Sequence, residues 1–570
     1  MFNNKYTKIN ILLLAGVVMS LGSCSKDETI TGQPEGKSGA PQLAATVEQL
    51  PVTRSGVIEN NGNYADGEKF YWSNGDATTV LFRNPSMTDA TQYKRAEYVA
   101  NVAGGVQSNN CTFQATQSES LDNGTYTAYG LYPTSAWEVR ADYYSFLETN
   151  IPTYQTQTQA NSTHLGAYML MKAQSDVTVD GSTPIKLTYN HLASVVRFVV
   201  WNNSGNNNLR LENIIVKLSS GKAAFATKAK LTDVDATSLS VSDYMNVPAL
   251  TLRLTGDARN FSIQDGKNRC EGYMAVLPTA TDAFEDSDDL MFELSFSEGN
   301  NNYLVTKTYP IGTSLQFLSN GIEQGKSYYF QLKVESSDLN PITGTSYAVG
   351  DYWPDNTSPV GIVFWVKPGS LGTQGKVVGL GETYVAKWGV DNDEQAAGVA
   401  GIRSVTDGAT ATKSMIAQYK SSGTFSADYP AFHYIYNTMN GGNENGVWYL
   451  PARDELKMLY AGYSGKVYEE ITDWISNKMP DYDSENCKMA RAAFNSSLTA
   501  KGGMAFGSSG NSAFWYLSSS EIALTRSYSF NLEDGQYSMD EKNMDSNIRW
   551  RYGSTLLCQL LHFYCIPYSL

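Results

Sequence analysis

Hydrophobic and polar positions in this chain repeat most often with a period of two. In "LMFELSF", residues 290–296, Leu290, Phe292, Leu294 and Phe296 share one face, while Met291, Glu293 and Ser295 take the other. That alternation predicts a strand with one buried side. Comparable runs of about 5–8 residues, divided by Gly, Asn, Asp and Pro, fill residues 56–335. Examples are Thr79 to Phe82, Tyr126 to Tyr132, Ile185 to Leu187, Val195 to Trp201, Leu209 to Leu218, Leu250 to Leu254 and Tyr328 to Val334. No comparably long amphipathic helix interrupts them. A β-sandwich is expected, and about 280 residues is enough for two in tandem.

Upstream, residues 25–42 are polar, carry Gly and Pro, and read as a flexible tether. A short apolar run, Leu43 to Leu50, comes next and is closed by Pro51, with a lone basic residue at Arg54 before Ser55. After Val334 a polar, Pro-bearing stretch reads as a linker. Beyond it "VGIVFWV" (360–366) and "YVAKWGV" (384–390) predict strands, while "PAFHYIYNTM" (430–439) fits a helix or a strand. The period then changes. In "NGVWYLPARDELKMLYAGY" (445–463) the apolar run Trp448 to Leu450 ends at Pro451, and Leu456, Leu459, Tyr460 and Tyr463 recur at helical spacing. Asp454 and Glu455 fall in the first turn, at the positive end of the helix dipole. A further helix is expected near Cys487 to Leu498.

Composition narrows the functional classes. Charged residues make up 17% of the 570 residues, below the usual ~25%, which suits β-structure rich in turns. The net charge of −15 is spread along the chain, which argues against nucleic acid or an anionic membrane surface as partner. Lys5 and Lys8 precede an apolar stretch, Ile9 to Leu21, too short to span a bilayer. Leu21-Gly22-Ser23-Cys24 then resembles a bacterial lipobox, so Cys24 is expected to carry the acyl chains. Ser25-Lys26-Asp27-Glu28 resembles the short tag that sends lipoproteins to the outer face of the outer membrane. The remaining cysteines, Cys111, Cys270, Cys487, Cys558 and Cys565, match neither a disulfide framework nor a zinc pair. They are expected to be isolated buried thiols, with no metal. The four histidines, His164, His191, His433 and His562, offer few acid–base candidates. With no G-x-S-x-G, H-E-x-x-H or P-loop motif, no catalytic residue or cofactor is expected.

Five pieces, "FYWSNGDATTVLF" (70–82), "YTAYGLYPTSA" (126–136), "LTYNHLASVVRFVVWN" (187–202), "GYMAVLPTA" (272–280) and "GIEQGKSYYFQLKV" (321–334), occur in the order and spacing of the fimbrillin-like family. The resemblance covers about half the chain and implies a subunit of type V fimbriae in Gram-negative anaerobes. In that family the subunit arrives as a lipoprotein, and an arginine-specific protease removes the N-terminal segment with its first strand. Leu43 to Leu50 then corresponds to the removable strand and Arg54-Ser55 to the processing site. The emptied groove would accept a strand from a shaft subunit. His191 is expected to be structural.

Trp448 to Leu450 with Pro451-x-Arg453-Asp454-Glu455-Leu456, and later Tyr516-x-Ser518-Ser519-Ser520-Glu521, resemble a C-type-lectin-like domain related to sulfatase-modifying factors. Members usually carry Thr or Ser where Ala452 stands, as the helix N-cap; its absence should cost about 1 kcal/mol. Arg453, Asp454 and Glu521 are expected to make polar contacts that tie helix to sheet. The calcium and sugar signatures of sugar-binding lectins are absent, and Asp391 to Glu394 and Asp481 to Glu485 lack the pattern of an EF-hand loop. The last residues depart from the pattern: Arg549-Trp550-Arg551-Tyr552 is a partial match, succeeded by an apolar tail, 553–570.

The resulting expectation is a mainly β chain, two tandem fimbrillin-type β-sandwiches followed by an α+β C-type-lectin-like domain. It divides into a signal peptide (1–23), a lipidated tether with removable strand (24–54), two sandwiches (55–190 and 191–336), a linker (337–344) and the lectin-like domain (345–570). With that domain occupying the place of a free donor strand, the chain would accept one shaft subunit, offer none, and so sit at the fimbrial tip. Its other partners would be outer-membrane lipid through Cys24 before processing and a surface ligand, protein or glycan, that the sequence leaves unnamed. Surface-binding lipoprotein and formylglycine-generating enzyme are the alternatives.

Overall fold

The computed structural model describes residues 40–49, 70–86, 93–102, 108–139, 147–241, 246–264, 267–380, 386–390, 396, 398–471, 474, 478–507, 515–542 and, in backbone, 563–566. Cys24, Arg54 and Ser55 lie outside these residues, as do Leu50, Cys558, His562 and 549–552.

The described residues are mainly β, as the alternation requires. The first unit is built from β1 (Leu43–Val47), β2 (Ala77–Arg83), β3 (Tyr93–Asn101), β4 (Asn110–Ser118) and β5 (Gly124–Tyr132). The chain then leaves this unit to lay down β6 (Tyr154–Gln157), and returns for β7 (Met171–Val179) and β8 (Ile185–His191). The sheet order β1-β8-β7-β5-β2-β3-β4 closes on itself as a barrel, so the first unit is one rolled sheet. Closure removes the exposed edges that an open sheet leaves.

The second unit is a two-sheet sandwich. One sheet has the order Ser262–Gln264, β10 (Lys267–Val276), β9 (Ser194–Asn202), β11 (Ser327–Val334). The facing sheet has the order Asn340–Pro341, Asn301–Pro310, Asp289–Glu298, Arg210–Leu218, Ala249–Leu254 and then β6, from the first half of the chain. Phe198, Ile214, Leu252, Phe292, Leu294, Phe296 and Phe330 fill the space between the sheets. Phe292 and Phe296 point inward as their period predicts. A separate cluster, including Leu81, Tyr129, Leu147, Val195, Leu231 and Tyr273, joins the barrel to the sandwich.

The last third places α1 (Gly408–Tyr419), α2 (Arg453–Tyr463) and α3 (Glu485–Ala500) around two small sheets. One contains β12 (Gly361–Val366) and β13 (Gly375–Gly379), with Phe563–Ile566 paired antiparallel to β13. The apolar tail therefore contributes an edge strand. The other contains β14 (Trp515–Ala523), β15 (Arg526–Asn531) and β16 (Tyr537–Glu541). Leu456, Leu459, Tyr460 and Tyr463 are buried on one face of α2, as their spacing predicts. Gly462 allows this helix to press on β12, because a Cβ there would lie 2.0 Å from the Phe364 carbonyl oxygen.

Two local expectations are corrected or decided. Residues 386–390, expected within a strand, are irregular; Trp388 is held by its side chain, edge-on to Phe432 at 5.3 Å, not by a ladder. "PAFHYIYNTM" is helical, as Pro430–Tyr434 followed by a wider turn over Ile435–Met439.

Candidate functional site

The N-terminal strand is the keystone of the barrel. β1 pairs parallel to β8, from Leu43↔Ile185 to Val47↔Tyr189, and antiparallel to β4, from Leu43↔Phe113 to Thr46↔Asn110. Among the described residues the strand covers Leu43–Val47, within the expected Leu43 to Leu50; Glu48 keeps one more bond to β8, and Gln49 turns to Phe70. Glu48 N–H donates to the Tyr189 carbonyl at 3.0 Å. The Gln49 side chain makes two bonds with the Phe70 backbone, at 2.7 and 3.0 Å.

Leu43, Ala45 and Val47 face the barrel interior and are almost wholly buried, while Ala44 and Thr46 face outward. Beneath them Trp72 stands edge-on to Phe113, Tyr132 and Tyr189, at 5.0, 5.3 and 5.5 Å. Taking β1 away would uncover this aromatic floor and leave the inner edges of β4 and β8 unpaired, a template for another strand.

His191 ends β8 and fastens the end of β1. Its Nε2 lies 2.8 Å from the Glu48 carbonyl oxygen, its ring packs on Phe70 at 4.5 Å, and Nδ1 is buried without a partner. Burial disfavours the imidazolium and pulls the pKa down to about 4, against the smaller opposing pull of the Glu48 carbonyl. The residue is a structural fastener, in keeping with its sequence setting.

The residues singled out in the last third do not converge on one site. Arg453 pairs with its neighbour Asp454 at 2.8 Å and lies over the rings of Tyr528 and Tyr537. Glu521 turns elsewhere, to Arg403 at 3.0 Å and to the buried Lys542, whose ammonium sits over Trp388 at 4.6 Å. The buried carboxylate that does tie helix to sheet is Glu455. It accepts from the Ala452 and Gly408 N–H groups at 2.7 and 3.1 Å, from the Tyr449 hydroxyl at 3.0 Å and from Lys376 Nζ at 2.6 Å. Sequence placed Glu455 in the first turn of the helix, but Lys376 and Gly408 are too distant along the chain for spacing to reveal. Cys270 and Cys487 are buried free thiols, and Cys111 is a half-exposed one.

The serine run of β14 has a similar role. The Ser520 hydroxyl accepts from Arg453 N–H at 3.1 Å and donates to the Ser404 carbonyl at 2.7 Å. Ser519 N–H donates to the Pro451 carbonyl at 2.7 Å, and Ser518 Oγ to the Tyr528 carbonyl at 2.9 Å. "LPxRDEL" and "SSSE" thus meet across one seam.

Residues 53–350 match the fimbrillin-like family, a span that takes in the barrel strands after β1 and the sandwich. The chain belongs to the fimbrillin-like family. No curated protein matches it. Solved structures similar to this fimbrillin-like chain include one from Bacteroides uniformis named as a cell adhesion protein. It shares 15% identity over 54% of this chain and 97% of its own, with a TM-score of 0.32. A second of that description, from Bacteroides ovatus, shares 12% identity over 54% and 96%, with a TM-score of 0.33. A fimbrial protein from Bacteroides ovatus covers 92% of this chain and 99% of its own, at 12% identity and a TM-score of 0.24.

Proposed function

We propose that this fimbrillin-like chain is an adhesive subunit of a cell-surface fimbria, placed at its tip. The observation that carries the proposal is the position of β1 between β4 and β8. It is a short closing strand over an aromatic floor, joined along the chain to the rest of the barrel by residues that include Arg54. In this reading the precursor reaches the outer membrane on Cys24 and is cut between Arg54 and Ser55. A shaft subunit's strand then replaces β1.

The region after the sandwich supports the tip position. The described residues beyond β11 build a region that docks back on the sheet. Ser295 Oγ donates to the Gly369 carbonyl at 2.7 Å, and Thr156 Oγ1 to Glu470 Oε1 at 2.7 Å. A segment committed in this way is not available as a donor strand. We read residues 345–570 as a C-type-lectin-like domain, on the strength of the seam between α2 and β14, and assign it binding rather than catalysis.

Arg54→Ala should leave a folded precursor that fails to enter fimbriae. Antibody to residues 345–570 should label distal ends alone; label repeated along the shaft would overturn the tip position.

A further inference from the structure

The contact between sandwich and terminal region encloses a cavity of about 710 Å³. That volume is within the usual 300–1,000 Å³ of small-molecule sites, and domain interfaces are a preferred place for them. Each side supplies part of the wall. Tyr154 and Arg253 come from β6 and its parallel partner, and Asn213 from the strand Arg210–Leu218. Trp365 comes from β12, and Tyr468 and Glu469 from the turn beyond α2.

Three features point to the chemistry of an occupant. First, three aromatic side chains, Trp365, Tyr468 and Tyr154, line the cavity from both sides. Second, polar groups stand among them as both donors and acceptors. Trp365 Nε1 donates to Glu469 Oε1 at 2.6 Å, which fixes the ring and the carboxylate together. Burial raises the Glu469 carboxyl above its ordinary range, against the smaller pull of this bond. A carboxylate offers about four acceptor positions, so capacity remains for hydroxyl donors. Arg253 and Asn213 supply N–H donors opposite. Third, the charges are of mixed sign: Glu212 and Glu469 share the wall with Arg253, Lys367 and Lys466. Of these, Glu212 is paired with Arg259 and Lys367 with Gln374. Mixed charge gives no attraction for a strongly anionic or cationic ligand, and the polar groups disfavour an acyl chain. Aromatic faces beside paired donors and acceptors suit a ring with apolar C–H faces and a hydroxyl rim.

We propose that this cleft binds a neutral sugar, one or two residues at the end of a glycan chain. The pyranose face would lie on the aromatic side chains, with its hydroxyls shared between Glu469 on one wall and Arg253 and Asn213 on the other. The site is distinct from the β1 groove. It rests on the adhesive reading only for the source of the glycan, since binding in solution requires no fimbria.

The test is a glycan array probed with the full chain, followed by calorimetric titration of the best neutral oligosaccharide retained. Glu469→Gln and Arg253→Gln, on opposite walls, should each weaken binding at least tenfold while the thermal midpoint stays in place. In the unsubstituted chain the same oligosaccharide should slow hydrogen exchange at 154–157 and 365–369, a readout independent of any variant's folding. The proposal is overturned if no glycan is retained, if only a peptide is bound, or if bound glycan leaves exchange at both segments unchanged. Distal labelling of fimbriae would be unaffected by such a failure, so the two readings fail separately.

Discussion

Ala452, the N-cap of α2, has no hydroxyl with which to cap the helix, and the structure shows what serves instead. An N-terminal turn leaves N–H groups without intrahelical partners. Here Arg453 N–H goes to Ser520 Oγ and Asp454 N–H to the Val405 carbonyl at 2.8 Å. Glu455 completes its half of the box by accepting from Ala452 N–H. Ser520→Ala should therefore destabilise the terminal region by about 1–3 kcal/mol, the cost of an unmet buried donor. Chemical denaturation of the full chain, followed by hydrogen exchange in α2, would measure it; an unchanged midpoint would show that Ser520 caps nothing. The missing hydroxyl was legible in the sequence, but its substitute, 67 residues away, was not, because a cap supplied by tertiary contact leaves no local spacing. His191 gives a second prediction at this scale. Its pKa falls from an ordinary 6.5 to about 4 in the folded chain, so between those values the unfolded chain binds more protons. The contribution is intact above pH 6.5 and is lost as pH falls toward 4, by roughly 2 kcal/mol at pH 5. His191→Gln should flatten the barrel's stability across that window; an unchanged pH slope would show that the ring titrates freely in the fold.

At the scale of the element, β1 shows which side chains a closing strand needs. Its inward positions run large, small, medium at Leu43, Ala45 and Val47, and all three are sealed. Leu43→Ala should cost about 2–5 kcal/mol through the cavity left behind. Ala45→Leu should cost about 1–3 kcal/mol through overpacking against the same floor. Fluorescence-detected denaturation of the barrel would distinguish them from outward Ala44→Ser, expected within about 0.5 kcal/mol of the parent. Equal effects at all three positions would show that β1 is not held in this register. Alternation made most strands legible here, including Asp289–Glu298 and β11. It could not show that the first sheet rolls shut, because strand period carries no information about which edges meet. Nor could residues 386–390 be told from a strand, since Trp388 is buried, and Ala386 and Val390 partly so, by side-chain packing without a ladder.

For the whole molecule, the telling residue is Gly369. It has a φ of +79°, and a Cβ there would come within 2.5 Å of Ile215 Cδ1, so the loop seats closely on the sandwich sheet. Gly369→Ala should lower the thermal midpoint of the terminal region by several degrees, through both the left-handed backbone and the contact. The barrel's midpoint should not move. Differential scanning calorimetry would resolve the two; a common shift would mean the units melt as one. The polar composition after Val334 suggested a linker, and composition alone could not reveal that a loop some thirty residues further on folds back.

β6 also determines how a pull would travel. Four residues, Tyr154–Gln157, leave the barrel, run parallel to Thr251–Leu254, and reach Glu470 through Thr156. A load applied at the barrel and resisted at the terminal region would be carried by this ladder and by the Thr156–Glu470 bond as well as by the covalent chain, so tension would be divided between two routes.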